Sequence, residues 1–107
     1  MPKYLLLYRG DVLPPADLPV AENEVLMEQW GVWMDKHGDQ VSDPGLPFGA
    51  RGAVGGAGGE RAVSPLTGYT IVKADSLEAA CELCSDHPFL QYAGGDCAVE
   101  IFELVPI

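Results

Sequence analysis

Residues 4–8, Tyr-Leu-Leu-Leu-Tyr, place an apolar side chain at every position, and this run constrains the fold more than any other stretch of the chain. Its aromatic and aliphatic residues favour a β-strand, ended after Arg9 by Gly10-Asp11. A strand points alternate residues to opposite faces, so Tyr4, Leu6 and Tyr8 share one side and Leu5 and Leu7 the other. Both sides are apolar, and both need cover. The run therefore reads as a central strand buried on its two faces.

The next stretches say what supplies that cover. From about residue 21 to residue 37, Leu26, Trp30, Trp33, Met34 and His37 recur at helical spacing, with Glu22, Glu24, Glu28 and Asp35 off the stripe. Gly38 is the expected C′ residue. Residues 12–20 hold three prolines and read as a loop, and a short second strand is expected around Val41 or residues 46–48. Residues 49–63, with six glycines, read as a flexible hairpin loop. Residues 67–73, Thr-Gly-Tyr-Thr-Ile-Val-Lys, form the third strand. Asp75 and Glu78 suggest a capping box opening a second helix, with Leu77, Ala80, Cys81 and Cys84 on one face and an end before Pro88. Residues 98–105 give the last strand.

The order β-α-β-β-α-β is the ferredoxin-like α+β plan, a four-stranded antiparallel sheet with two helices on one face. A chain of 107 residues makes one domain, and folding should bury roughly 65% of the unfolded chain's surface. Two helices leave the second sheet face bare. Carrying Tyr4 or Leu5, Tyr69 or Thr70, and Glu100 or Phe102, that face is too apolar for water, so a homodimer pairing sheet against sheet is expected.

Charge narrows the partners. Sixteen acidic residues against six basic ones give a net charge of −10, which disfavours nucleic acid and anionic membranes. The chain has no apolar stretch near the ~20 residues of a membrane helix, and its start lacks signal-peptide character, so a cytoplasmic location is expected. Three cysteines, Cys81, Cys84 and Cys97, argue against a disulfide framework. Cys81 and Cys84, with His87 and Cys97, have zinc-compatible spacing, but core packing is the expected use of both helix-two thiols. No nucleotide fingerprint is met in the glycine-rich loop, and no cofactor is expected.

Several strings taken together resemble a known family. They are Pro2-Lys3-Tyr4-Leu5-Leu6-Leu7-Tyr8, Trp30-x-x-Trp33-Met34, Asp43-Pro44-Gly45-Leu46-Pro47-Phe48, the stretch from Leu66 through Ala80, and the closing Val99-Glu100-Ile101-Phe102-Glu103-Leu104. Across essentially the whole chain this resembles the YCII-related family, in its branch named for a DGPF motif. The resemblance implies a single YCII-like domain over residues 1–107, paired into a dimeric α/β barrel. It also implies a His-Asp pair in a cleft, but this sequence departs at both places. The helix-one position falls near Met27, and His87 stands before Pro88-Phe89. The DGPF string is interrupted by Pro44 and Leu46, so the family's chemistry does not carry over residue by residue.

The candidate site is therefore read from this chain's own residues. His87, next to Asp86 in sequence, is the candidate general acid or base, with Asp43 or Asp11 as alternative partners. Arg51 and Arg61 are candidate anion ligands in the glycine loop, and Tyr8 or Tyr69 would orient a substrate oxygen. His37 is expected half-buried against a last-turn carbonyl, and Trp30 and Trp33 are expected in the core rather than around an aromatic ligand. Two functions fit: a cofactor-independent proton-transfer enzyme, of isomerase or lyase type, acting on a small organic acid, or a non-catalytic ligand-binding or accessory dimeric domain.

Overall fold

A computed structural model describes residues 1–10, 19–56, 58–59, 62–92 and 97–107. In chain order the elements are β1 (Lys3–Arg9), α1 (Val20–His37), β2 (Val41–Asp43), β3 (Leu66–Lys73), α2 (Leu77–Leu83), α3 (Pro88–Tyr92) and β4 (Ala98–Leu104). The sheet order is β2-β3-β1-β4 with every neighbouring pair antiparallel. This four-stranded antiparallel α+β arrangement is compatible with the ferredoxin-like plan, and β1 takes an inner position, as its apolar run predicts.

Register follows the alternation. Leu6 lies between Thr70 of β3 and Ile101 of β4, and Tyr4 opposite Val72. These residues face the helices, where Tyr4, Leu6, Tyr8 and Val72 join Trp33, Ala80, Leu83, Cys84 and Phe89 in one core. Leu5, set between Ile71 and Phe102, and Leu7, between Tyr69 and Glu100, face the other way. Among the described residues the helices' core partners all lie on the first face; Leu5 and Leu7 are half-buried, and Phe102 is half exposed. The short dimension of the molecule, 22 Å against 45 and 41 Å, is that of one sheet and one helix layer.

Several local expectations are corrected. Gly38 is the C-cap of α1 itself, with φ −55° in the right-handed region, because Gln40 and Val41 continue the turn by bonding His37 and Gly38 carbonyls. Helix α2 is capped by Ser76, not Asp75. Ser76 has extended backbone, and its hydroxyl accepts from the Ala79 N–H at 3.1 Å, so no capping box forms with Glu78. The buried side of α2 is Ala80, Leu83 and Cys84, whereas Leu77 and Cys81 are exposed. Pro88 does more than follow a helix: it opens α3 at the first helical position, where a missing N–H costs nothing. The proline-containing loop falls mostly on residues outside those described. No helix among the described residues is long and apolar enough to cross a membrane.

Candidate functional site

Two adjacent residues of β3, Thr70 and Tyr69, point to opposite sides of the sheet and organise two different polar clusters.

On the covered side, His87 sits at the N-cap position of α3, fully buried. Its ring packs against Trp33, Trp30 and Tyr8, at centroid distances of 4.4, 4.6 and 4.9 Å. Nδ1 accepts the Phe89 N–H at 3.1 Å. A neutral imidazole with one nitrogen accepting carries its proton on the other, so Nε2–H donates to Tyr8 Oη at 3.0 Å. The Tyr8 hydroxyl then donates to Thr70 Oγ1 at 2.5 Å, and Thr70 donates to the Pro44 carbonyl at 3.0 Å. Every proton in the chain runs in one direction, and it ends on a peptide carbonyl.

Burial holds His87 neutral, lowering its pKa to about 4, with nearby Asp86 opposing the shift only in part. Burial likewise raises the Tyr8 phenol, against the lowering effect of its bond to Thr70. His87 has no free lone pair with which to take a proton from a substrate. Asp86 turns away from it. Its carboxylate takes Lys36 at 2.5 Å and lies 3.4 Å from His37 Nε2, and the Lys36 hydrogen bond holds its pKa below the usual range. His37 thus faces a carboxylate and the Trp33 ring, 5.1 Å away, rather than a last-turn carbonyl.

On the uncovered side, the Tyr69 hydroxyl donates to Asp43 Oδ2 at 3.2 Å, which raises the phenol's pKa, the carboxylate charge adding to the effect. Asp43 Oδ1 accepts the Gly45 N–H at 2.9 Å, an Asx turn. Gly45 is required there: its φ is +75°, and a Cβ would stand 1.7 Å from the Tyr69 carbonyl oxygen. The turn brings Phe48 to lie stacked on Tyr69 at 6.1 Å, with its N–H on the Thr67 carbonyl.

Beyond them opens a groove of about 620 Å³, lined by Leu46, Phe48, Ala50, Ala53, Val63 and Leu66, with Arg51, Ser64 and Tyr69 as its polar groups. Arg51 Nη1 donates to the Leu66 carbonyl at 2.5 Å and Nε to the Gly49 carbonyl at 3.4 Å. Among the described residues no carboxylate pairs with it.

The expected site residues therefore separate. Asp43, Tyr69 and Arg51 gather at or beside the groove, whereas His87 and Tyr8 are buried in the core on the other face of the sheet. Arg61 and Asp11 lie outside the described residues. No three His, Cys, Asp or Glu side chains converge as a metal site among the described residues, and burial pushes the Cys84 thiol up to about 12. Phe48 joins the site without a chemical signal in the sequence, which marks it only by its place after the Asp-Pro-Gly turn. The sequence matches no protein-family model and no curated protein.

Proposed function

We propose that the chain acts as a homodimeric, non-catalytic binding domain whose groove takes a small organic anion with an apolar or aromatic body. The observation that carries this reading is the meeting of Arg51, a guanidinium that no carboxylate pairs among the described residues, with the stacked Phe48–Tyr69 pair in a mostly apolar groove. A carboxylate suits Arg51, since charge-assisted hydrogen bonds are the strong ones, and the aliphatic lining suits the ligand's remainder. The chain's net charge of −10 repels anions at a distance, but salt screens that repulsion beyond about 10 Å and leaves the local charge to decide. The sealed, one-way hydrogen-bond chain at His87 speaks against the proton-transfer enzyme. One feature favours that second reading: the Tyr69 hydroxyl donates to the Asp43 carboxylate beside the groove, an arrangement that proton transfer would need.

Calorimetric titration with phenylacetate tests the first reading. Wild type should bind, and Arg51→Ala should weaken binding by about tenfold or more, the ~1.4 kcal/mol and upward of one hydrogen bond to a charged group. Absence of binding across a panel of aromatic and aliphatic monocarboxylates, or wild-type affinity in Arg51→Ala, rejects it. Turnover of any such acid that is lost in Tyr69→Phe would favour the enzyme instead.

The dimer rests on the bare face, where Leu5, Leu7, Ile71, Phe102 and Leu104 form an apolar surface of the kind a dimeric barrel buries. Sedimentation at micromolar concentration should give a dimer, and Phe102→Lys a monomer. A monomeric wild type would remove this part of the proposal.

A further inference from the structure

The turn at residues 43–45 is held from both sides of the sheet. On the groove side, Asp43 accepts the Tyr69 hydroxyl at 3.2 Å. On the core side, the adjacent carbonyl of Pro44 accepts Thr70 Oγ1 at 3.0 Å. Pro44 has no N–H and fixes its own φ, so the carbonyl is its one hydrogen-bonding handle. Thr70 is fully buried, and its hydroxyl orientation is not free: it accepts from Tyr8, which accepts from His87 Nε2, which bears the proton because Phe89 N–H occupies Nδ1. The strands on their own leave this turn loosely held, since β2 is three residues long and its register with β3 shifts between Val41 and Asp43.

We propose that Thr70, oriented through Tyr8 by the buried His87, is a positioning residue for the groove: it fixes the Pro44 carbonyl and with it the Asp43 carboxylate that holds Tyr69. The inference rests on the binding role given above for Arg51, Phe48 and Tyr69, and extends it to three residues that touch no ligand. Core packing alone would need apolar side chains at Tyr8, Thr70 and His87; the directed chain of hydroxyls ending on the turn is what packing does not require. Buried polar groups are costly unless every one is satisfied, and here each is.

The test is the titration of the Tyr69 phenol, read by NMR of ¹³C-labelled tyrosine with Tyr69→Phe for assignment, alongside phenylacetate affinity. In Thr70→Val the Pro44 carbonyl loses its donor while side-chain shape is kept. The Tyr69 pKa should fall back toward its ordinary value of 10.0, and the dissociation constant should rise by about fivefold, a neutral hydrogen bond's worth. Thr70→Ser should restore both, and Tyr8→Phe, which breaks the chain one step earlier, should shift the phenol in the same direction by less. A folded Thr70→Val with wild-type Tyr69 titration overturns the proposal, as does Thr70→Ser behaving like Thr70→Val. Should Thr70→Val fail to fold, Tyr8→Phe decides, an unchanged phenol being the contrary result. The phenol readout needs no ligand, so it remains decisive even if wild type binds no carboxylate and the groove reading fails.

Discussion

The two faces of the sheet use the same strands and treat their polar groups in opposite ways. On the helix-covered face, Tyr8, Thr70 and His87 spend every hydrogen-bonding atom on one another, on Phe89 N–H or on the Pro44 carbonyl. On the other face, the half-buried Tyr69 and the exposed Arg51 border a groove, Leu5 and Leu7 are half-buried, and Phe102 is exposed. Residues that look equally chemical in the sequence thus divide by strand parity. A histidine that is surrounded by rings and doubly hydrogen-bonded is an element of architecture; a tyrosine one strand position away from its partner is available for recognition.

The comparison breaks first at its hydrophobic residues. Leu6→Ala, on the covered face, should cost roughly 2–5 kcal/mol in urea denaturation at any protein concentration, because the cavity is internal. Leu5→Ala should cost far less where the protein is dilute, and more as concentration rises and a second copy supplies its cover. Equal, concentration-independent costs would show that the faces do not differ in this way.

The pH dependence of stability sharpens the contrast. Burial lowers the His87 pKa to about 4 in the folded chain, against ~6.5 unfolded, so between those values the unfolded chain binds more protons. Stability is therefore fully present above the unfolded value and is lost as pH falls toward 4. From pH 7 to pH 5 the loss should be about 2 kcal/mol by urea denaturation. Stability that holds flat or rises over that range contradicts a neutral, sealed His87. At the small end, Arg9 and Glu100 form a surface pair at 3.2 Å, with side chains 54% and 32% exposed. Arg9→Ala should change stability by less than about 0.5 kcal/mol, and a larger measured effect would mean that this corner is covered in solution.

Much of the fold was legible because it follows from periodicity. The apolar run at residues 4–8 placed β1 at the centre, and the stripe through Leu26, Trp30 and Trp33 placed α1 against it. The cap of α2 is not legible to the residue, because Asp75 and Ser76 are both good caps and only backbone geometry selects Ser76. Helix α3 is five residues, too short to show a period, and its start depends on a histidine acting as N-cap, an uncommon use. The candidate site was half legible. Asp43, Tyr69 and Arg51 come together across 26 and 18 positions of sequence through β2–β3 pairing and the turn at Gly45, which composition does not encode. His87 drew attention for its chemistry, and nothing local in the sequence reveals that Trp30, Trp33 and Tyr8 close around it.

The central claim is that this protein meets its ligand in the groove beside Phe48, Arg51 and Tyr69 and keeps His87 out of reach. ¹⁵N-resolved NMR titration with phenylacetate tests it most directly. The account predicts that shift changes gather at Phe48, Arg51, Ser64 and Tyr69 and leave the indole N–H signals of Trp30 and Trp33 unmoved. Changes centred on Trp30, Trp33 and His87, with the groove silent, would contradict it and return the histidine core to the position of working site.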